Sequence, residues 1–292
     1  MEIIWDQLDR TDWTAALHVG DAGPLQQSWD YGAGMAALGA RVRRCVVRDA
    51  SGDLAMVQVM ERRGLRVIAR GPVWLRGLDG ARKRGVLRGL ARHPGLTVAT
   101  PGEELQGVGL IPLITRRHHA LWDLTPDPIE LRAGLDGKWR GHLSLAERRG
   151  LRIGQGGAQA LEALIAAEAA QRAVRGYHAL PGAFARGWPV DQRHVWQWRQ
   201  GGQMQAGMLF LRHGDWASYH HGWTGDAGRA MFAHGPMLWQ AMLDLRAQGV
   251  RMLDLGCLDG ANPGLANFKR GTGAAVVPLG ATSWVLPRLL RD

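Results

Sequence analysis

Apolar and polar positions in this chain repeat with two periods, and the period changes often. Ile3-Ile4-Trp5 opens as a short strand. Pro24 suits the first turn of a helix carrying Leu25, Trp29 and Leu38, which Gly32, Gly34 and Gly39 weaken. Residues 43–47 and 54–60, on either side of a Ser51-Gly52-Asp53 turn, read as a hairpin. Residues 65–69 extend it and Gly71-Pro72 ends it. A helical segment over 82–92 and a strand over 96–99 follow.

The turn-rich run Asp123-Leu124-Thr125-Pro126-Asp127-Pro128 is the predicted boundary, with Asp127 capping a helix that Pro128 begins. It divides the chain into 1–125 and 126–292. Beyond it, Leu161, Leu164, Ile165 and Ala169 recur at helical spacing within 158–175. Strands are expected over 195–198 and 206–211 around Gly201-Gly202, then over 216–223. A helix from Pro236 and a strand over 250–255 complete an order β-β-β-α-β. That order predicts an α/β protein with open mixed sheets and helices packed on them.

With 292 residues, 46% of them hydrophobic, the chain can bury a large core, and 21% charged residues exclude a disordered tail. No apolar run approaches the roughly 20 residues a membrane helix needs, and the N-terminus does not read as a secretory signal. Two cysteines, Cys45 and Cys257, cannot build a disulfide framework or a four-cysteine zinc site. The expected location is the cytoplasm.

Net charge is +10, and positions 41–92 alone hold fourteen basic and four acidic residues. Such a local field attracts phosphate-bearing partners. Ordinary arginine-rich composition gives the same count, because only three of the 36 basic residues are lysines.

Two of those three, Lys138 and Lys269, lie in the segments with the most chemical promise. The first is Lys138-Trp139-Arg140 on a helix. The second runs from Leu253-Asp254-Leu255-Gly256 through Asp259, Asn262 and Pro263 to Phe268-Lys269-Arg270-Gly271-Thr272-Gly273. A retained lysine points to a need for a compact ammonium; a surface lysine after a helix is the alternative. Asp254 ends a strand, where ligands gather in open sheets, or it caps the following turn. Gly271 and Gly273 allow a close backbone approach to an anion, although a lone Gly-x-Gly is a weak signal. Cys257 either accepts an acyl group or packs as a small apolar residue. His220-His221, like His118-His119, are adjacent on a strand and therefore expected on opposite faces, so no metal site is assigned. Tyr219 and His220 flank one strand, and His220 is the chosen general base, with a packed histidine as the alternative.

These residues also carry a resemblance. Leu25-Gln26-Gln27-Ser28-Trp29, Arg70-Gly71-Pro72-Val73-Trp74, Lys138-Trp139-Arg140 with Ala146-Glu147-Arg148, and His234-Gly235-Pro236-Met237-Leu238-Trp239 occur in order. Leu253-Asp254-Leu255-Gly256, Pro263-Gly264-Leu265 and Phe268-Lys269-Arg270-Gly271 complete the series. Together they resemble the FemAB-type peptidyltransferases, a branch of the GNAT acyltransferase superfamily that includes BioF2-like acetyltransferase domains. The resemblance implies two tandem GNAT-like subdomains with a cleft between them. It also implies transfer of an acyl or aminoacyl group to a primary amine, with acyl-CoA or aminoacyl-tRNA as donor substrate and no permanently bound cofactor.

On this resemblance Lys269 stabilises an oxyanion and Asp254 orients the amine or takes its proton. Phe268, Lys138, Trp139, Arg140 and Gly271 bind substrate, joined by Tyr219 from the strand-face reading, and the acceptor is a small-molecule or muropeptide-like amine, as in peptidoglycan bridge formation. Two departures concern the substrate and leave the fold untouched. Asp30-Tyr31-Gly32 stands where bridge-forming members often place a lysine, and their helical-hairpin insertion is absent. The nearest match to a GNAT cofactor loop is Gly225-Asp226-Ala227-Gly228-Arg229. A different class of reading is a non-catalytic module that binds RNA, including tRNA, or an anionic cell-envelope precursor.

Overall fold

The computed structural model describes residues 1–19, 23–258 and 262–288; Asp259 of the second segment lies outside the described residues. Two compact units emerge, one formed by Met1–His118 with the segment from Val277 onward, the other by His119–Val276.

The first unit contains β1 (Glu2–Trp5), α1 (Arg10–Val19), α2 (Trp29–Ala37), β2 (Arg41–Asp49), β3 (Gly52–Arg62), β4 (Leu65–Ala69), β5 (Val73–Trp74), α3 (Gly80–Leu90), β6 (Leu96–Thr100) and β7 (Leu110–Ile114). The expected hairpin is present as β2 and β3, joined at Asp49 and Gly52. Its sheet runs β1-β2-β3-β4-β6, continues with a strand from the far end of the sequence (Thr282–Val285), and ends at β7. Val57, Val59 and Ile68 on the sheet meet Val86, Leu87 and Leu90 of α3 to form the core.

The helix expected from Pro24 to Leu38 is broken. Leu25–Gln27 forms one 3-10 turn, Ser28 is extended, and its hydroxyl accepts from the Tyr31 amide to start α2 afresh. The break has a cause in Gln27, which is fully buried. Its Oε1 accepts from the Gln58 amide at 2.7 Å and its Nε2 donates to the Ala69 carbonyl at 2.8 Å. Gln27 thus fills the gap in the β3 ladder between Ala55–Met56, paired to β5, and Met60–Arg62, paired to β4. In return, Gln58 Nε2 donates to the carbonyls of Gln26 and Ser28, both at 3.0 Å. Gln27→Ala leaves buried backbone groups unsatisfied and is expected to cost about 2–4 kcal/mol. Urea unfolding measures this, and an unchanged midpoint would show that the amide is not what holds the segment.

The basic surplus of 41–92 is largely engaged within this unit. Arg66 is buried and donates to the Leu90 carbonyl at 2.7 Å and to Glu61 at 3.1 Å. Arg44 lies 3.6 Å over the Trp29 ring, donates to Gln58 Oε1, and is pushed down to about 10 by burial. Arg82 pairs with Asp49, and Arg84 and Arg88 donate to the carbonyls of Gln106 and Leu286.

The second unit contains β8 (His118–Asp123), α4 (Pro128–Ala133), α5 (Gly137–Arg148), β9 (Gly154–Gly156), α6 (Ala158–Arg175), α7 (Gly182–Gly187), β10 (Arg193–Gln200), β11 (Gln203–His213), β12 (Trp216–Thr224), α8 (Asp226–Ala230), α9 (His234–Ala247), β13 (Met252–Cys257), α10 (Pro263–Arg270) and β14 (Ala275–Pro278). The strand Thr282–Val285 is β15 of the first sheet. Asp127 and Glu130 form a full capping box on α4, with Pro128 in its first turn. The sheet order is β14-β8-β13-β12-β11-β10-β9. Trp196, Trp198, Met208 and Phe210 pack with Met237, Leu238 and Met242 of α9 in the core.

Among the described residues, no helix is long and apolar enough to cross a membrane.

Candidate active site

In the second unit β12 pairs with β13 in parallel, and this ladder spans only Trp216–Ser218 against Met252–Asp254. Beyond Ser218 and Asp254 it does not continue, and this is where the predicted site residues converge. Asp254 is buried, and its Oδ1 accepts from the Gly256 amide at 2.7 Å and lies 3.2 Å from His119 Nδ1 on β8. Gly256 has φ +83, a conformation that favours glycine. The turn it makes presents the Cys257 carbonyl to Lys269, whose Nζ donates to it at 3.0 Å.

Lys269 is not a surface lysine. It lies in the last turn of α10 with 5% exposure, and its ammonium sits 5.8 Å from the Tyr219 ring centroid. Burial lowers its pKa from the ordinary lysine value, while Asp254 and Cys257 oppose that shift. Tyr219 packs on Phe210 at 5.8 Å, and burial raises its phenol.

The preceding residue faces a different space. The Phe268 ring lies 5.8 Å from that of Trp139 and 6.2 Å from that of His234, and its carbonyl accepts from Trp139 Nε1 at 3.2 Å. These rings, with His142 and Phe232, wall a cavity of about 220 Å³ that also touches Gly228, Arg229 and the start of α9. His142 and Phe232 stack at 4.0 Å. Gly228 and Arg229, from the segment nearest in pattern to a GNAT cofactor loop, lie on the cavity's rim. Gly228 is required there, because a Cβ would lie 2.4 Å from the Gln205 carbonyl oxygen. Ala233 occupies the cap position of α9 and gives it no side-chain cap, while the Gly235 amide donates to the Phe232 carbonyl. His234 Nε2 faces the Trp223 carbonyl at 3.0 Å, and burial lowers this imidazole's pKa.

Other expected members lie apart from this cluster. Of Lys138-Trp139-Arg140, only Trp139 turns inward; Lys138 and Arg140 are exposed, and Arg140 donates to the Ala133 carbonyl at 2.9 Å. Gly271 packs under Trp139, where a Cβ would meet the indole at 2.9 Å, and its carbonyl accepts from the Asp136 amide. A Cβ on Gly273 would lie 2.6 Å from the Gly134 carbonyl oxygen. Both glycines are thus used for close packing of chain on chain.

The expectation that adjacent histidines diverge fails at His220. Leu209 pairs with His221 and Phe210 with Tyr219, so His220 is the extra residue of a β-bulge. The bulge sets the two imidazoles 4.3 Å apart, each with its Nε2 buried and unbonded among the described residues. Burial and the neighbouring ring push His220 down to about 3, which leaves it neutral and weakly basic at pH 7. Sequence reasoning passed over His119, which it weighed only as a metal ligand, and no local pattern marks its bond to Asp254.

No family model and no curated protein matches the chain. Solved structures do match along its length. FemX is 14% identical with a TM-score of 0.76, covering 98% of each chain. L-PGS from Bacillus licheniformis is 13% identical with a TM-score of 0.56, covering 97% of this chain and 93% of that one. A tandem GNAT protein from the clavulanic acid biosynthesis pathway is 15% identical with a TM-score of 0.53, covering both chains fully. At these identities the likeness establishes the fold.

Proposed function

We propose that this chain, which has the tandem GNAT fold of the FemX type, transfers an activated acyl or aminoacyl group to a primary amine. The observation that carries the reading is Lys269. A buried ammonium has three N–H donors, and among the described residues it spends one, on the Cys257 carbonyl. The remaining donors serve an oxyanion born on an attacked carbonyl, and a desolvated site magnifies that stabilisation.

Asp254 is too enclosed to meet the amine directly. It fixes the Gly256 turn, and through it the carbonyl that orients Lys269. The cavity beside Phe268 suits the donor. Its aromatic walls accept apolar or planar groups, and the Arg229 guanidinium on its rim favours phosphate. Acyl-CoA fits that chemistry, and an aminoacyl-tRNA end shares it. Lys138 and Arg140, exposed on α5, take the anionic part of a larger acceptor such as a nucleotide-linked muropeptide.

Mass-spectrometric screening of acyl-CoA donors against amine acceptors is expected to yield an acylated amine. Binding to tRNA that falls steeply with salt, without product from any donor, would support the RNA-binding module instead.

A further inference from the structure

A second bulge lies at the end of β13. Asp254 pairs with Leu121 and Gly256 with Ala120, so Leu255 is the extra residue, and Cys257 then stands directly opposite His119. Without the bulge, Asp254 and Cys257 would project to opposite faces; with it they share the face that carries His119 and Leu121. That face is the reverse of the one where Leu253, Leu255, Ala120 and Trp122 enter the core. Directly opposed residues of an antiparallel pair have Cβ atoms roughly 5 Å apart. A thiol, an imidazole and a carboxylate bonded to that imidazole at 3.2 Å are thereby gathered on one face of two adjacent strands. Cys257 and His119 are partly exposed.

We propose that Cys257, His119 and Asp254 act as nucleophile, base and orienting carboxylate, and that the acyl group rests on Cys257 as a thioester before it reaches the amine. The inference rests on the transferase reading and deepens it. His119 donates from Nδ1 to Asp254, which leaves the Nε2 lone pair to accept the thiol proton. The sulfur attacks the donor carbonyl, a C–Sγ bond forms, and the bond to the donor's sulfur or oxygen breaks. The imidazolium returns its proton to that leaving thiolate or alkoxide. The amine then attacks the thioester, a C–N bond forms as C–Sγ breaks, and the surplus proton passes through His119 to the cysteine sulfur. No oxidant or reductant is consumed. Lys269, already held on the Cys257 carbonyl, stands beside both carbonyl attacks.

The full chain is treated with p-nitrophenyl acetate or acetyl-CoA, and separately with iodoacetamide at pH 7. The expected product carries one acetyl group on Cys257, removable by neutral hydroxylamine and absent from Cys257→Ala. Iodoacetamide is expected to modify Cys257 at least tenfold more slowly in His119→Gln, with His119→Asn as a second variant. Cys45, fully buried, is the internal control. Equal alkylation in wild type and in folded His119 variants overturns the proposal, as does acetyl found only on other residues. If Cys257→Ala transfers acyl groups to an amine at the wild-type rate, the covalent route fails and the transferase reading stands. If Cys257 is acylated in a His119-dependent way and no amine ever receives the group, the acyl-cysteine stands and the transferase reading fails.

Discussion

Replacing Lys269 with Met is expected to slow acyl transfer by roughly 10²–10³-fold while the protein stays folded. The rate loss is the usual effect of removing one donor from an oxyanion site. The side chain is buried, so a truncation would open a hole; Met keeps most of the length and removes only the charge. Because burial disfavours that charge, thermal stability should hold or rise slightly. Turnover on the acceptor found by screening and a melting curve decide between roles. Unchanged turnover removes the lysine from the chemistry, and a large fall in Tm assigns it to the fold.

Acid should weaken the fold well before the carboxylates are protonated. Burial lowers the pKa of His194, His220, His221 and His234, His220 to about 3. In the unfolded chain each takes a proton near pH 6.5; in the folded protein each resists it. Their contribution is therefore fully present above about pH 6.5 and is lost as pH falls, for His220 until about 3. His220 alone accounts for about 2 kcal/mol between pH 6.5 and pH 5. His220→Phe should flatten that part of the profile, and urea midpoints equal at pH 7 and pH 5 in the wild type would contradict the argument.

Local rules served the chain wherever a structure is made by neighbours in sequence. The hairpin of β2 and β3 and the Asp127–Pro128 helix start both follow from short-range chemistry. Resemblance, not periodicity, marked Gln26-Gln27-Ser28-Trp29, and only the fold shows why those residues belong together. The bulges at His220 and Leu255 were illegible, because one inserted residue reverses every later side chain and leaves no mark on apolar alternation. The arginines of 41–92 were misleading for a related reason. Counting charges cannot show that Arg66 ends on a backbone carbonyl or that Arg44 lies flat on a tryptophan.

The β15 strand separates β6 from β7, and Thr100 and Thr282 hydrogen-bond across 182 positions of sequence. During synthesis, the first sheet must wait with a strand-wide vacancy between β6 and β7 while the whole second unit emerges and is free to fold. Nascent chains stalled before residue 282 would thus leave the facing edges of β6 and β7 unpaired. Quality control of this protein accordingly hinges on β15, whose late arrival seals the domain that was made first.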